Sequence, residues 1–244
     1  MRTFFITDIH GELAKFEALL SRLSLRPTDK LILGGDYVDR GPDSYGVVER
    51  VRALRSECRL VALRGNHDDE FARGIVAAER HGDRHDETTY PLWAHGARVT
   101  YDSYVRAGVH PREHLAFYES LDDYHVHGRK LFVHAGMHRH HTIANPTFNT
   151  RRVLLWDRDF LKLAYFDERT AERWARTGSF ATKEGFEMVF LGHTPVQMFD
   201  AERHAPMLLK RSKVMACDTG AGKYPDATLY AVDVDTLAVV GHVG

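Results

Sequence analysis

Cysteine is scarce in this chain, which has only two among 244 residues. Cys58 and Cys217 lie far apart, each borders an apolar segment, and neither belongs to a CxxC pair. Such a low count excludes a small scaffold held together by disulfides. We therefore expect two buried free thiols in a protein of a reducing compartment.

An excess of one charge and a long apolar run are also missing. Lys and Arg total 33 against 34 Asp and Glu, a formal net charge of −1. No global field would hold the chain to nucleic acid or to an anionic membrane, so any anion binding must be local. The opening MRTFFITDIHG differs from a signal peptide or a membrane span, because its short apolar run ends in charged residues. We expect a cytoplasmic protein with no nucleic-acid or membrane partner, and the oligomeric state is left open.

The composition is that of an ordinary globular protein, with 43% hydrophobic and 27% charged residues. At about 150 residues per domain, and with no linker or repeat, we predict a single domain over residues 1–244. Short apolar runs rich in β-branched or aromatic residues predict buried strands, and helical spacing of apolar residues separates the first three. This alternation is typical of an α/β fold. The predicted strands are Thr3 to Thr7, Leu31 to Leu33, Leu60 to Leu63, Leu131 to Val133 and Met188 to Leu191.

Three other segments have a different pattern. From about residue 68 to 129 the sequence is polar, His-rich and helical in its spacing, which predicts a mostly helical excursion over one edge. Residues 137–152 contain His138, His140 and His141, for which we favour a solvated loop over an accessory metal or substrate contact. Residues 228–234 and 237–243 flank Asp235-Thr236 and predict a terminal hairpin.

Polar side chains that could bind a metal or take part in catalysis cluster at the ends of the predicted strands. The carboxyl ends of strands in open α/β sheets form the ligand crevice, so these segments are expected to converge on one rim. The segments are Asp8-Ile9-His10-Gly11, Gly34-Gly35-Asp36-Tyr37-Val38-Asp39-Arg40-Gly41, Arg64-Gly65-Asn66-His67-Asp68, His134-Ala135-Gly136 and Gly192-His193-Thr194.

These residue types suit a metal centre. Oxygen and imidazole ligands without thiolates favour Mn, Fe or Zn, and Asp8 and His10 point to one side of an extended strand end. Asp36 follows two glycines that let the backbone approach closely, as a carboxylate shared by two cations requires. Two cations about 3.5 to 4 Å apart would hold a bridging hydroxide, which is a strong nucleophile near neutral pH. Such a centre is suited to hydrolysis.

In their order and content these segments resemble the calcineurin-like metallophosphoesterases, and within them the phosphoprotein phosphatase branch. Bacterial and bacteriophage lambda-type serine/threonine protein phosphatases are the most similar, because Leu154-Leu155-Trp156-Asp157-Arg158 and Asp218-Thr219-Gly220-Ala221 follow in sequence. The resemblance implies a four-layer α-β-β-α sandwich of two mixed sheets flanked by helices. Asp68 departs from the Glu that eukaryotic members usually carry.

The resemblance also implies a role for each site residue. Asp8 and His10 would bind the first metal, Asp36 would bridge, and Asn66, His134 and His193 would bind the second. Two divalent ions are implied, with Mn preferred and Fe or Zn as alternatives. His67 would protonate the leaving alcohol and Asp39 would orient its imidazole, while Arg40 and Arg158 would grip the phosphoryl oxygens. Arg158 has a plainer alternative as part of a salt-bridged helix start. Asp218 could either cap a turn or orient a metal-bound imidazole, and both readings are open.

The predicted function is hydrolysis of phosphoserine and phosphothreonine in proteins, with phosphotyrosine or a small phosphorylated molecule as further substrates. The alternative enzyme is a symmetrical diadenosine tetraphosphatase, for which Tyr37, Tyr90, Trp93 or Tyr224 could contact adenine. A non-catalytic scaffold is disfavoured because no expected ligand is missing. A nuclease is disfavoured because Pro195 stands where such members carry a second His.

Overall fold

The computed structural model describes residues 1–81, 96–138, 140–170 and 184–244, and all structural statements below concern these ranges. The strands are short, and those that become central in the sheets are almost completely buried. In chain order they are β1 (Thr3–Ile6), β2 (Lys30–Leu33), β3 (Arg59–Ala62), β4 (Tyr124–His127), β5 (Lys130–Val133), β6 (Met188–Leu191), β7 (Met207–Leu209), β8 (Val214–Ala216), β9 (Leu229–Asp233) and β10 (Val239–Val243).

The helices form where one apolar face can pack on a sheet. In the first helix Phe16, Leu19, Leu20 and Leu23 are buried at the spacing of one helix face. The helices are α1 (Leu13–Leu23), α2 (Ser44–Glu57), α3 (Asn66–His81), α4 (Ala97–Ala107), α5 (Leu115–Glu119), α6 (Arg151–Trp156) and α7 (Asp159–Arg169).

The strands form two mixed sheets. The first has the order β10-β9-β1-β2-β3, in which β1, β2 and β3 are parallel and β9 runs antiparallel to β1. The second has the order β4-β5-β6-β8-β7, with β5, β6 and β8 parallel and the two outer strands antiparallel to them. The parallel strands of each sheet therefore end together, and their carboxyl ends form one edge.

The two sheets pack face to face through aromatic and aliphatic side chains. Phe5 and Ile32 of the first sheet meet Phe132 and Phe190 of the second, and the last two rings stack with centroids 4.7 Å apart. A second cluster lies between the first sheet and α1 and α2, and a third between the second sheet and α7. These layers confirm the predicted α-β-β-α sandwich.

The structure agrees with the predicted strands and with the terminal hairpin of β9 and β10. The described part of the predicted excursion at residues 68–129 is mostly helical, but it ends in the strand β4, which was not predicted and which pairs antiparallel with β5. Polar side chains at His125 and His127 hid this strand, since an edge strand is only half covered. The strands β7 and β8 were not predicted, because three residues are too few to show a period.

Both cysteines are buried free thiols, as expected. No helix in the described part of the chain combines the length and the apolar character that crossing a bilayer demands.

Candidate metal centre

The polar residues at the strand ends meet at one edge of the two sheets. The parallel strands carry each of them there, and all are buried. The set consists of Asp8 and His10 after β1, Asp36 after β2, Asn66 at the start of α3, His134 after β5 and His193 after β6. The structure therefore brings all six predicted metal ligands together.

Asp36 lies at the centre of this set. Its carboxylate belongs to two groups whose ligand atoms lie within 4.8 Å of one another, one with His10 and His67 and one with His134 and His193. Asp36 Oδ2 is 3.4 Å from His10 Nε2 and 3.5 Å from His134 Nε2. A carboxylate between two sets of imidazoles is the arrangement that a pair of bridged cations requires.

Asp8 and Asn66 add one oxygen to each side. Asp8 Oδ1 lies 4.0 Å from His10 Nε2. Asn66 Oδ1 lies 2.9 Å from His193 Nδ1 and 3.1 Å from His134 Nε2. Carboxylate, amide and imidazole donors suit Mn, Fe or Zn. The residues present thus fit two divalent cations, one on each side of Asp36.

Backbone carbonyls fix two of the imidazole rings. His10 Nδ1 lies 2.8 Å from the carbonyl oxygen of Val38, and His134 Nδ1 lies 2.8 Å from that of Gly34. A proton held on Nδ1 leaves Nε2 of each ring unprotonated on the side of Asp36. Loops from neighbouring strands therefore aim these nitrogens before any ion binds.

Burial and mutual charge shift the pKa values of the centre. Burial, and then the charge of Asp36, raises the pKa of Asp8 to about 7. Burial would raise the pKa of Asp36 as well, but the surrounding imidazoles, His134 first, outweigh it and lower that pKa. Burial lowers the pKa of His10 and of His193. His10 and His193 are thus held neutral, which is the form that binds a metal.

His67 differs from the other imidazoles in its partner. Its Nδ1 lies 2.6 Å from Asp39 Oδ2, which leaves Nε2 toward the centre. Burial alone would lower the pKa of His67, but the charges of Asp36 and Asp39 outweigh it and raise the pKa to about 9. A proton is therefore retained at neutral pH, as a general acid requires.

Two hydroxyls hold Asp39, and sequence reasoning missed both. Thr100 Oγ1 of α4 donates to Asp39 Oδ1 over 2.5 Å and accepts from the Asp39 backbone N–H over 2.8 Å. Ser44 Oγ accepts from the same N–H over 3.0 Å and lies 3.0 Å from Thr100 Oγ1. The helical excursion thus reaches the site through Thr100, which no motif in the sequence marks.

The two predicted arginines lie in different positions. Arg40 reaches the centre, with guanidinium nitrogens 2.7 Å from His10 Nε2 and 3.2 Å from His67 Nε2. Arg158 is half-buried at the rim, where its guanidinium lies 3.4 Å from the sulfur of Met198. Its charge contributes to the lowered pKa of His193, after burial and the charge of His134. Arg158 is the N-cap residue of α7, so its position also fits the plainer alternative of a residue at a helix start.

Asp68 fastens two of the site loops together. Its carboxylate accepts from the backbone N–H groups of Asp36 and Gly65, both over 2.8 Å, and from that of Tyr37 over 2.9 Å. Gly65 lies so close to Asp36 that an added Cβ would collide with its backbone and carboxylate. Asp68 is shorter than the Glu of eukaryotic members, and it joins the loop after β2 to the loop after β3.

The site backbone is strained. Non-glycine residues with positive φ are concentrated in it: Asp8, His10, Asp36, Asp39, Arg40 and His193. Such angles persist only where the surrounding contacts enforce them, and they are common at functional sites.

Asp218 and the aromatic residues considered for adenine binding differ in their positions. Asp218 caps a turn by accepting from Gly220 N over 2.8 Å. Tyr37 cannot contact adenine, because it is completely buried and its hydroxyl donates to the Leu63 carbonyl. Tyr224 is half-buried beside Gly220. Tyr90 and Trp93 lie outside the described residues.

The histidine loop does not form a third metal group among the residues described. His141 stacks on Phe148 with ring centroids 3.4 Å apart, and the ring centroids of His138 and His141 are 4.8 Å apart. The only three-ligand groups within the described ranges are the two that share Asp36.

Comparison with known proteins gives a family match over most of the chain. The model of the calcineurin-like phosphoesterase family matches residues 1–197. The chain is also 48% identical over 69 residues to a symmetrical bis(5'-nucleosyl)-tetraphosphatase of Pectobacterium atrosepticum, a match covering 28% of this chain and 24% of that protein. The chain therefore spans about a quarter of the length of this curated relative.

Solved structures share the fold over almost the whole chain. One is provisionally described as a diadenosine tetraphosphatase, at 21% identity, with a TM-score of 0.59 and coverage of 99% of this chain and 92% of that one. Another is the cold-active protein-tyrosine phosphatase of a psychrophilic Shewanella species, at 15% identity, with a TM-score of 0.58 and coverage of 96% and 76%. At these identities the likeness shows the fold alone.

Proposed function

The chain belongs to the calcineurin-like phosphoesterase family, and from that membership we propose a dinuclear, metal-dependent phosphomonoesterase that hydrolyses phosphoserine and phosphothreonine in proteins. Phosphotyrosine is included in the proposal as a further substrate. Two Mn ions are the proposed cofactor, and Fe and Zn are alternatives that the donor set would also accept.

The metal-binding residues are assigned from their positions around Asp36. Asp8, His10 and Asp36 would hold one cation, while Asn66, His134, His193 and the same Asp36 would hold the other. When bound, such a pair supplies an activated water as the nucleophile and neutralises charge on the phosphoryl group.

The two arginines are proposed to bind the phosphoryl oxygens. Arg40 has both terminal nitrogens directed into the centre, between His10 and His67. Arg158 lies at the rim, where its charge acts on His193. Bidentate guanidinium contacts would orient the phosphoryl group for in-line displacement and stabilise the added charge of the transition state.

The observation that carries the proposal is the His67–Asp39 pair. His67 turns Nε2 to the centre while Asp39 holds Nδ1 at 2.6 Å. Its raised pKa keeps a proton available for the leaving oxygen. A serine or threonine alkoxide is a poor leaving group and must be protonated as the P–O bond breaks. A buried, clamped general acid is therefore most useful for an alkyl phosphate.

A symmetrical dinucleoside tetraphosphatase is the second candidate, because the relatives that match at 48% identity carry that name. Its leaving group would be a nucleoside diphosphate, which departs as an anion with little need of a proton. The proton held on His67 therefore favours the phosphomonoesterase.

One experiment separates the two. Turnover of a phosphoserine peptide and of diadenosine tetraphosphate is measured on one Mn-loaded preparation, as kcat/KM. The proposal predicts a higher value for the peptide. A large preference for the dinucleotide would replace it with the second candidate.

A further inference from the structure

A groove leads away from the metal centre along α3. It has a volume of about 650 Å³ and is lined by Asp69, Glu70, Arg73, Arg151, Arg152, Leu155 and Trp156; we refer to it as the Arg73 groove. Trp156 connects the groove to the centre, since the ring centroids of Trp156 and the proposed ligand His193 are 6.1 Å apart. A substrate bound at the metals can therefore extend into this groove without leaving the protein surface.

Two arginines of the groove have no partner for their charge. Arg73 and Arg152 are exposed and make no ion pair with any residue that the structure describes. Arg151, in contrast, lies 2.9 Å from Asp123 and 3.7 Å from Asp69. The charge of Asp69 is further compensated by Arg64, whose guanidinium nitrogen lies 3.6 Å from Asp69 Oδ1. With Glu70 included, the groove is lined by three arginines and two carboxylates, so its surplus charge is positive.

The spacing along α3 sets the distance from the metals. Asn66 and Arg73 are seven residues apart and lie on one face of the helix. At about 1.5 Å per residue this places Arg73 about 10 Å along the axis from the proposed ligand. An extended peptide covers the same distance in about three residues, at roughly 3.3 Å each.

We propose that the Arg73 groove binds an acidic side chain of the substrate peptide about three residues from the phosphorylated one. The inference rests on the proposed phosphoprotein phosphatase function and adds a sequence preference to it. Arg73 and Arg152 would pair with the carboxylate of a substrate Asp or Glu, because a guanidinium binds a carboxylate through two parallel hydrogen bonds. The contact lies far from the phosphoryl group and would act on binding.

The test uses two sets of phosphoserine peptides, in which the residue three positions to either side is Asp or Asn. Values of kcat/KM are compared for the wild type, for Arg73→Gln/Arg152→Gln, and for the control Arg26→Gln. Arg26 is also exposed but lies in the turn before β2, at the opposite end of the first sheet. Turnover of an aryl phosphate, which does not reach the groove, reports the intact centre.

The wild type and Arg26→Gln are expected to prefer the Asp peptide about fivefold on one side, mainly through KM, since partly exposed ion pairs are individually weak. In the double variant this ratio falls to about one, with aryl phosphate turnover unchanged. A ratio that stays at fivefold in the double variant, or a wild type that hydrolyses both peptides equally, overturns the groove assignment. Hydrolysis of the aryl phosphate with no turnover of any peptide instead refutes the phosphoprotein function. If the double variant loses turnover of diadenosine tetraphosphate and not the peptide preference, the groove binds polyphosphate and the peptide assignment is wrong.

Discussion

At the scale of single residues, the sequence identifies most of the centre but not what supports it. The proposed ligands follow strands and stand in ordered motifs, so the roles of Asp36 and His193 can be proposed from the sequence although the two residues lie far apart in the chain. The role of Thr100 could not be predicted, because Thr100 is one of many polar residues on α4 and the sequence does not show where that helix packs. Asp68 was visible only as a departure from a motif, and its three backbone contacts depend on the folded loops.

Replacing His67 by Asn tests the proposed general acid. We expect turnover of an alkyl phosphate to fall by roughly 10² to 10⁴, because the leaving oxygen would depart without a proton. An activated aryl phosphate should lose much less, since its leaving group needs no acid. Metal content measured by elemental analysis should not change. Equal losses for both substrates would show that His67 has another role.

Replacing Thr100 tests a positioning role. Thr100→Val removes the hydroxyl between Asp39 and Ser44 while nearly preserving shape, so the His67–Asp39 pair should lose its fixed orientation. We expect kcat for alkyl phosphates to fall about tenfold, as loss of one hydrogen bond to a charged group of about 1.5 kcal/mol implies. KM should change little, and Thr100→Ser should restore most of the rate. If Val and Ser give the same rate, the hydroxyl has no part in catalysis.

At the scale of elements, the strands buried on both faces could be predicted from the sequence, but the edge strand β4 could not. β1 and β6 are continuous apolar runs, whereas β4 alternates His with other residues and pairs on one side only. Its position also creates a contact between the sheets, because Lys30 Nζ of β2 lies 2.9 Å from His127 Nδ1.

This contact predicts a pH dependence of stability. Burial lowers the pKa of His125 and His127, and the charge of Lys30 lowers both further. Lys130 also faces His127 and acts in the same direction, while Asp235 opposes it. The unfolded chain, with a His pKa of about 6.5, then binds more protons than the folded one below that pH. The free energy of unfolding contributed by these groups is therefore present above about pH 6.5 and is lost as the pH falls.

Chemical denaturation at pH 7.5 and 5.5 measures this effect. His127→Gln, which cannot gain a proton, should lose less stability between the two pH values than the wild type. Since the site histidines are the same in both proteins, the difference reports His127. An identical loss in the two proteins would show that His127 does not contribute.

At the scale of the whole molecule, the fold joins its two halves at the metal centre. Asp8 and Asp36 come from the first sheet, while His134 and His193 come from the second. Helix and strand patterns indicate an α/β protein, but the pairing of the strands in the described ranges into two facing sheets follows from the resemblance to a family and not from local sequence. The way the two sheets face each other depends on long-range packing such as that of Phe5 on Phe132.

Metal binding should therefore stabilise the entire fold. A cation that binds only the folded chain adds about 2.7 kcal/mol at 100 times its dissociation constant. For a chain of this size we expect a rise in Tm of roughly 5 to 10 °C with Mn, reversed by a chelator. Calorimetry of the wild type and Asp36→Asn measures the effect, which should be absent in the variant. A Tm that Mn leaves unchanged in the wild type would contradict a shared site between the sheets.

The most direct test of the account is anomalous diffraction from crystals grown with Mn. The predicted result is two peaks about 3.5 to 4 Å apart on either side of the Asp36 carboxylate, one beside His10 and one between His134 and His193, and neither peak in Asp36→Asn. A single peak, or two peaks that persist without this carboxylate, would contradict the bridged centre on which the proposed chemistry depends.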